Sequence, residues 1–186
     1  YSDEVSGAYK CFKNASSSFE FDHECKRLIS DICYFDSLRS DRTISSQGLE
    51  ARVPFSDNDF VEYYLSIPID MRMQPDKLLL RRAFENDGLL PDEILWRPKE
   101  AFSDGVSQKD NSWHTILKTH INKKITDKEF QQESNNMIIN KPMLKETYYY
   151  RKIYNKYYEK YEDVIPYYWL PKWCNEVIDP SAREII

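Results

Sequence analysis

The stretch Phe19-Glu20-Phe21-Asp22-His23-Glu24-Cys25-Lys26-Arg27-Leu28-Ile29-Ser30-Asp31-Ile32-Cys33-Tyr34-Phe35-Asp36-Ser37-Leu38 sets the fold class. Its apolar positions Phe21, Cys25, Leu28, Ile29, Ile32, Cys33 and Phe35 recur at three- and four-residue spacing. That spacing marks one buried helical face rather than a half-buried strand, so a helix is expected from Phe19 to about Leu38. Ahead of it, Ala15 to Ser18 reads as a small polar linker, because serines compete for backbone hydrogen bonds and disfavour continued helix. Asp36 and Arg39 lie three apart and share a face at the helix end. They read either as an ordinary i,i+3 ion pair or as a pair able to meet the charged ends of an amino-acid substrate.

Downstream the helical pattern repeats. Val53-Pro54-Phe55 is expected to be extended, because the residue before proline avoids the helical region. Ser56 or Asp57 then caps a helix carrying Phe60, Val61, Tyr64 and Leu65 on its inner side. Glu50 and Arg52 straddle Ala51, either as a buried structural pair bracing the loops or as a ligand contact. Lys77 to Phe84 reads as another helix, stopped at Asp87-Gly88, and Leu89 to Trp96 follows with Pro91 at an early helical position. Further on, Asn111 or Ser112 caps a helix through Trp113, Ile116, Leu117 and Ile121, and Thr126 or Asp127 begins a shorter one. Gln131 to Asn140 is polar and reads as a loop, and Pro142 to Tyr161 reads as a long helix. The tail from Val164 is proline-broken and aromatic, suited to lying extended over helices. Nothing requires a sheet, so the chain is read as mainly α.

The run Trp96-Arg97-Pro98-Lys99-Glu100-Ala101-Phe102-Ser103-Asp104-Gly105-Val106 is built differently. A helix ends at Trp96, Pro98 blocks its continuation, and Asp104-Gly105 supplies turn chemistry. The apolar residues before it are expected to anchor its base. Lys99 is thereby held on a short, stiff loop, where a cation can meet charge that develops in a transition state. The competing reading is a snorkelling surface lysine.

Composition narrows the function classes. With 186 residues the chain is long enough for one domain with a real core. Against 31 acidic residues stand 26 basic ones, a net charge of −5, which gives nucleic-acid binding no overall electrostatic help. The interleaved Tyr, Lys and Arg of the last helix resemble stacking platforms beside phosphate contacts, but acids interrupt them and the helix has its own apolar stripe to bury. No apolar run approaches the roughly 18 residues of a membrane span. Cys11, Cys25, Cys33 and Cys174 lack C-x-x-C spacing and read as free, mostly buried thiols of a cytoplasmic protein. His114 and His120 are six apart, off the spacing that puts two metal ligands on one helix face.

The opening Tyr1-Ser2-Asp3-Glu4-Val5-Ser6-Gly7-Ala8-Tyr9 sets two acids beside small residues. Ser2 or Asp3 can cap a helix start, or the carboxylates can bind a hard cation such as Mg²⁺. Lacking an initiator methionine, the chain is read as a piece of something longer or as a processed product.

Taken in order, Ser2-Asp3-Glu4, Gly48-Leu49-Glu50-Ala51-Arg52-Val53-Pro54-Phe55, Leu90-Pro91, Trp96 to Glu100 and Phe102-Ser103-Asp104-Gly105-Val106 form one pattern. Lys145-Glu146-Thr147-Tyr148-Tyr149-Tyr150-Arg151, Trp169-Leu170-Pro171-Lys172-Trp173 and Asp179-Pro180-Ser181-Ala182-Arg183 continue it. The pattern resembles the synthetase part of glutamine-hydrolysing asparagine synthetase over nearly the whole chain. The resemblance implies that the complete protein uses ATP to adenylate the side-chain carboxylate of aspartate, releasing pyrophosphate. Ammonia from glutamine hydrolysis then displaces AMP from β-aspartyl-AMP to give asparagine. It implies that Lys99 is the catalytic lysine, that Asp3 holds Mg²⁺ and pyrophosphate, and that Asp36, Arg39 and Arg52 lie near aspartate and the intermediate.

The departures bound the expectation. The family's Ser-Gly-Glu-Gly run would lie before Tyr1, and the phosphate loop and the glutaminase domain are absent from these residues. Ser6 and Ala8 replace an aromatic and a glycine, and Gln47 stands where tryptophan is usual. Residues 1–186 are therefore read as the helical C-terminal portion of an α/β synthetase domain of the adenine-nucleotide α-hydrolase-like, ATP-pyrophosphatase type, inactive or nearly so alone. Aspartate, ATP, glutamine-derived ammonia and the glutaminase domain are the implied partners, with a homodimer as a further possibility, and no nucleic acid or membrane. The alternatives are a related amide- or lactam-forming synthetase and a non-catalytic helical interaction module.

Overall fold

The computed structural model describes residues 1–99, 106–107, 111–174 and 177–179. The chain divides into two compact units, Tyr1–Lys99 with Pro171–Asn175 and Glu100–Leu170 with Glu176–Ile186. The described residues hold helices, turns and extended segments but no strand, as the periodicity leads one to expect.

The first unit is built on α1 (Ser2–Ser6) and α2 (Ser18–Asp31), which pack together. The Ser17 hydroxyl accepts from the Glu20 N–H at 3.2 Å, which starts α2 at Ser18, inside the residues expected to form a polar linker. Phe21, Cys25 and Leu28 form its buried stripe, and Val5, Ala8, Cys11 and Phe12 are buried in the same unit. The Phe12 ring stands edge-on to Phe21 at 5.4 Å and to Trp173 at 5.3 Å, so the segment around Trp173 closes this core. Buried Glu24, held by Arg27 at 2.6 and 2.8 Å, accepts the Lys172 N–H at 2.8 Å and fixes that segment.

The single helix expected to reach Leu38 is two helices. After α2 the chain tightens into a 3₁₀ turn, Ile32–Tyr34, and Phe35 leaves the helical region (φ −122°, ψ −97°) before α3 (Asp36–Ser45) begins. A 3₁₀ turn keeps side chains three apart on nearly one face, so the apolar pattern runs on across a break in the helix. Two consequences follow. Asp36 lies in the first turn of a new helix, where the dipole favours an acid, and Cys33 is exposed while the other three cysteines are buried.

The rest of this unit is a series of short elements. Pro54–Ser56 is a 3₁₀ turn rather than an extended segment, since proline's fixed φ also suits the first position of a turn. Asp57 caps α4 (Asn58–Ser66) by accepting the Phe60 N–H at 3.2 Å. Next come α5 (Ile69–Arg72), α6 (Leu78–Ala83) and α7 (Asp92–Leu95). Arg72 is buried, donates to the Ile67 carbonyl at 2.9 Å and pairs with Asp22 of α2, tying α5 to the core.

The second unit contains α8 (Trp113–Lys124), α9 (Asp127–Asn136) and α10 (Lys145–Tyr158). Ser112 and Thr126 are the caps, accepting from Thr115 N–H and Glu129 N–H. Helix α9 extends to Asn136, well into the residues expected to form a loop, because Gln, Glu and Ser tolerate a solvated helix without an apolar signal. Helix α10 is shorter than expected: Pro142 lies before it, and Leu144 and Thr147 close its first turn. Ile121, Ile125 and Tyr148 form the core of this unit, with Phe130, Met137 and Tyr149 packed against it. The tail after α10 has no regular helix in its described residues and is tied down by Asn140 donating to the Ile165 carbonyl and Tyr168 donating to the Ile178 carbonyl.

Candidate functional site

The site starts at α1. This five-residue helix ends at Gly7, which adopts a left-handed conformation (φ 60°, ψ 38°) and turns the chain so that Ala8 and Tyr9 follow at once. Neither Ser2 nor Asp3 caps the helix; the cap position is Tyr1 and makes no side-chain bond. Both side chains turn to lysines instead. Asp3 Oδ1 lies 2.8 Å from Lys77 Nζ and 3.1 Å from Lys99 Nζ, and the Ser2 hydroxyl accepts from Lys77 at 2.8 Å. Burial alone would raise the Asp3 pKa, but the nearby Lys99 and Lys77 ammonium groups outweigh it and hold the carboxyl below its ordinary value.

Lys99 is not a snorkelling surface lysine. Its side chain is only 23 % exposed, donates to the Ala8 carbonyl at 2.9 Å and stands over the Tyr9 ring at 4.8 Å from the centroid. Its loop begins where expected, at Trp96, but its anchor differs from the apolar one the sequence suggests. Leu95 is buried, whereas Leu89, Leu90, Ile94 and Trp96 are exposed. The anchor is Arg81 of α6, which donates to the carbonyls of Leu95 at 2.7 Å and Arg97 at 2.8 Å. The expected Asp104-Gly105 turn, with the rest of 100–105, lies outside the described residues, as do Pro180 to Arg183.

Lys77 is the residue that sequence reading missed. Asp76 (φ 52°) and Lys77 (φ 60°) both adopt the left-handed region just before α6, which is costly for residues with a Cβ. The signal was faint: Pro75-Asp76 announces a turn, but not that two successive left-handed residues aim a lysine back at α1. Helix α6 therefore carries Lys77 at its start and Arg81 one turn later, so one short element positions both lysines. Tyr9 was missed as well.

The other expected site residues are not gathered with Lys99. Asp36 pairs with Arg39, which is 76 % exposed, and Arg52 pairs with Glu50 at 2.7 Å. Arg52 is 81 % exposed, so this pair is solvated rather than buried. Asp36 nevertheless faces the site electrostatically. The Tyr9 phenol is pushed up first by burial, then by Glu4, and further by the negative charges of Asp3 and Asp36.

Among the described residues no cluster of three or more His, Cys, Asp or Glu could by itself hold a metal ion. Asp3 fits Mg²⁺ in a different way, since that ion is held by one or two carboxylates together with substrate phosphates. The two ammonium groups and the Ser2 hydroxyl beside Asp3 are donors of the kind that suit a phosphorylated ligand.

Comparison with known proteins adds to this geometry. The family model described as asparagine synthase matches residues 2–176. Asparagine synthetase [glutamine-hydrolyzing] of cattle is 46 % identical over 99 % of this chain, and that of chicken 44 % and of human 43 % over the same share. The chain spans about a third of the length of these relatives (33 %). A match that runs almost end to end and includes Asp3, Lys77 and Lys99 establishes that the chain belongs to the asparagine synthase family.

Proposed function

We propose that the complete protein makes asparagine from aspartate in two steps: ATP-dependent formation of β-aspartyl-AMP, then attack by ammonia drawn from glutamine. The observation that carries this reading is the convergence of Lys77 and Lys99 on Asp3, two cations suited to polyphosphate beside a carboxylate suited to Mg²⁺, built by three separate segments. These 186 residues act as the helical C-terminal portion of an α/β ATP-pyrophosphatase-type synthetase domain, with the remaining nucleotide contacts and the glutaminase contributed by other parts of the protein.

Attack of the aspartate side-chain carboxylate on the α-phosphorus of ATP breaks the bond to pyrophosphate and concentrates negative charge on phosphate oxygens. Lys99, held by backbone and ring before substrate arrives, is in place to neutralise that charge. Lys77 and the Ser2 hydroxyl hold the departing pyrophosphate. Asp3 would hold Mg²⁺ together with the phosphates, and the ion supplies further charge neutralisation when bound. On this reading the ammonium groups pass from Asp3 to phosphate oxygens on binding. Asp36, whose charge reaches Tyr9, and its partner Arg39 offer one charge of each sign to meet the ends of the amino acid.

The test is aspartate-dependent exchange of pyrophosphate into ATP by the full-length protein, followed by asparagine formation with glutamine or ammonium. Exchange that needs aspartate supports the reading. Exchange driven by another carboxylic acid assigns the protein to a related amide-forming reaction, and its complete absence points to a fold that has lost the chemistry.

A further inference from the structure

We propose that Tyr9, with its hydroxyl donated to buried Glu4, is a positioning residue that holds Lys99 independently of Asp3. The proposal rests on the reading of Lys99 given above and adds how that lysine stays in place when its carboxylate partner is engaged elsewhere.

An ammonium group has three N–H donors, and Lys99 places them against one carboxylate, one carbonyl and one ring. The three contacts differ in what happens when an anionic ligand arrives. Asp3 is repelled by phosphate or drawn to a cation, so its contact with Lys99 is the one that substrate removes. The Ala8 carbonyl and the Tyr9 ring do not change. A ring face also attracts the cation without cancelling its charge, because it contributes a quadrupole rather than a counter-ion. Lys99 therefore keeps its full charge for the ligand.

The ring is itself fixed. Its hydroxyl donates to Glu4, which is buried in α1, and Phe12 lies at 6.2 Å on a tilted plane. Glu4 precedes and Tyr9 follows the Gly7 turn, so the hydrogen bond spans the turn and sets the ring against it. Tyr9 thus acts through Lys99 and not on the reacting atoms.

The experiment replaces Tyr9 in the full-length protein by phenylalanine and by mono-, di- and trifluorinated phenylalanines, which withdraw the ring's negative face at nearly constant size. Turnover and KM are measured for aspartate-dependent ATP–pyrophosphate exchange. Turnover should fall stepwise with fluorination, about 3- to 30-fold over the series relative to Tyr9→Phe, with KM for aspartate unchanged. A flat series overturns the proposal and leaves a packing role. In parallel, the Lys99 ε-methylene NMR signal, assigned through Lys99→Arg, should be shifted upfield by the ring in the wild type and in Tyr9→Phe and lose that shift in Tyr9→Leu. A wild type without aspartate-dependent exchange would count against the functional reading; the ring shift then decides positioning, and its absence from the wild type overturns it. If Tyr9→Leu does not fold, the fluorinated series still decides.

Discussion

Arg81 donates from Nη1 to the main-chain carbonyl of Arg97 at 2.8 Å, two residues before Lys99. The same nitrogen holds the Leu95 carbonyl at 2.7 Å, so the helix that follows Lys77 also clamps the chain that leads to Lys99. Arg81→Met keeps most of the side chain's volume and removes both bonds. Misplacing a catalytic group by about 1 Å costs on the order of 100-fold, and a loosened loop should lose about 10- to 100-fold in turnover. Steady-state exchange kinetics with aspartate and ATP check this, and turnover within twofold of the wild type would show that the loop holds itself.

Lys77 and Lys99 should separate in kinetics although both touch Asp3. Lys99→Ala in the complete enzyme is expected to lower turnover by about 10²- to 10³-fold with folding intact, since in the proposed role it removes charge at the reacting phosphate without emptying a core. Lys77→Ala should act mainly by raising KM for ATP and weakening pyrophosphate inhibition by roughly tenfold, the loss of one charge-assisted contact. Equal kinetic profiles for the two variants would contradict the division of labour.

Gly7 is the structural hinge under the site. A Cβ there would lie 2.5 Å from the Phe21 ring and 2.7 Å from Phe12, at a φ of 60° that side chains rarely adopt. Gly7→Ala should destabilise the protein by about 2–4 kcal/mol through left-handed strain and overpacking together. The midpoint of urea unfolding reads this; an unchanged midpoint would mean that the rings move aside freely.

The buried Asp22–Arg72 pair should make stability sensitive to acid. Burial raises the Asp22 pKa, but hydrogen bonds from Lys26 and Arg72 outweigh this and depress it below its ordinary value. The folded protein therefore binds fewer protons at this carboxyl than the unfolded chain. Its contribution is complete above the unfolded value, about 3.9, and is lost as pH falls through the lower folded one. Asp22→Asn should cost about 3 kcal/mol at neutral pH, because Arg72 is left buried without its counter-charge, and progressively less as pH falls through the depressed folded value. Unfolding curves of both proteins across this range check the sign, and a constant difference would show that the pair does not titrate with folding.

The legible part of the chain was its local chemistry. The stripe Phe21, Cys25, Leu28 and the helix starts at Asp57, Ser112 and Thr126 are written in adjacent residues, because a side chain three or four places away decides them. What escaped was set by small backbone departures. A 3₁₀ turn at Ile32–Tyr34 split one expected helix without disturbing its apolar rhythm, and a polar run continued as helix to Asn136 without any apolar signal.

The sequence by itself determined a mainly helical chain, a helix end at Trp96-Arg97-Pro98 just ahead of Lys99, and the ordered motifs that mark the family. Only the tertiary structure decided who meets Lys99. Asp3, the Ala8 carbonyl and the Tyr9 ring come from one end of the first unit, while Lys77 arrives through two left-handed residues and Arg81 holds the loop from α6. Charges far apart in sequence carry no periodic signal of one another. Their pairing is fixed by turns at Gly7 and Asp76-Lys77 whose conformations depend on the packing around them.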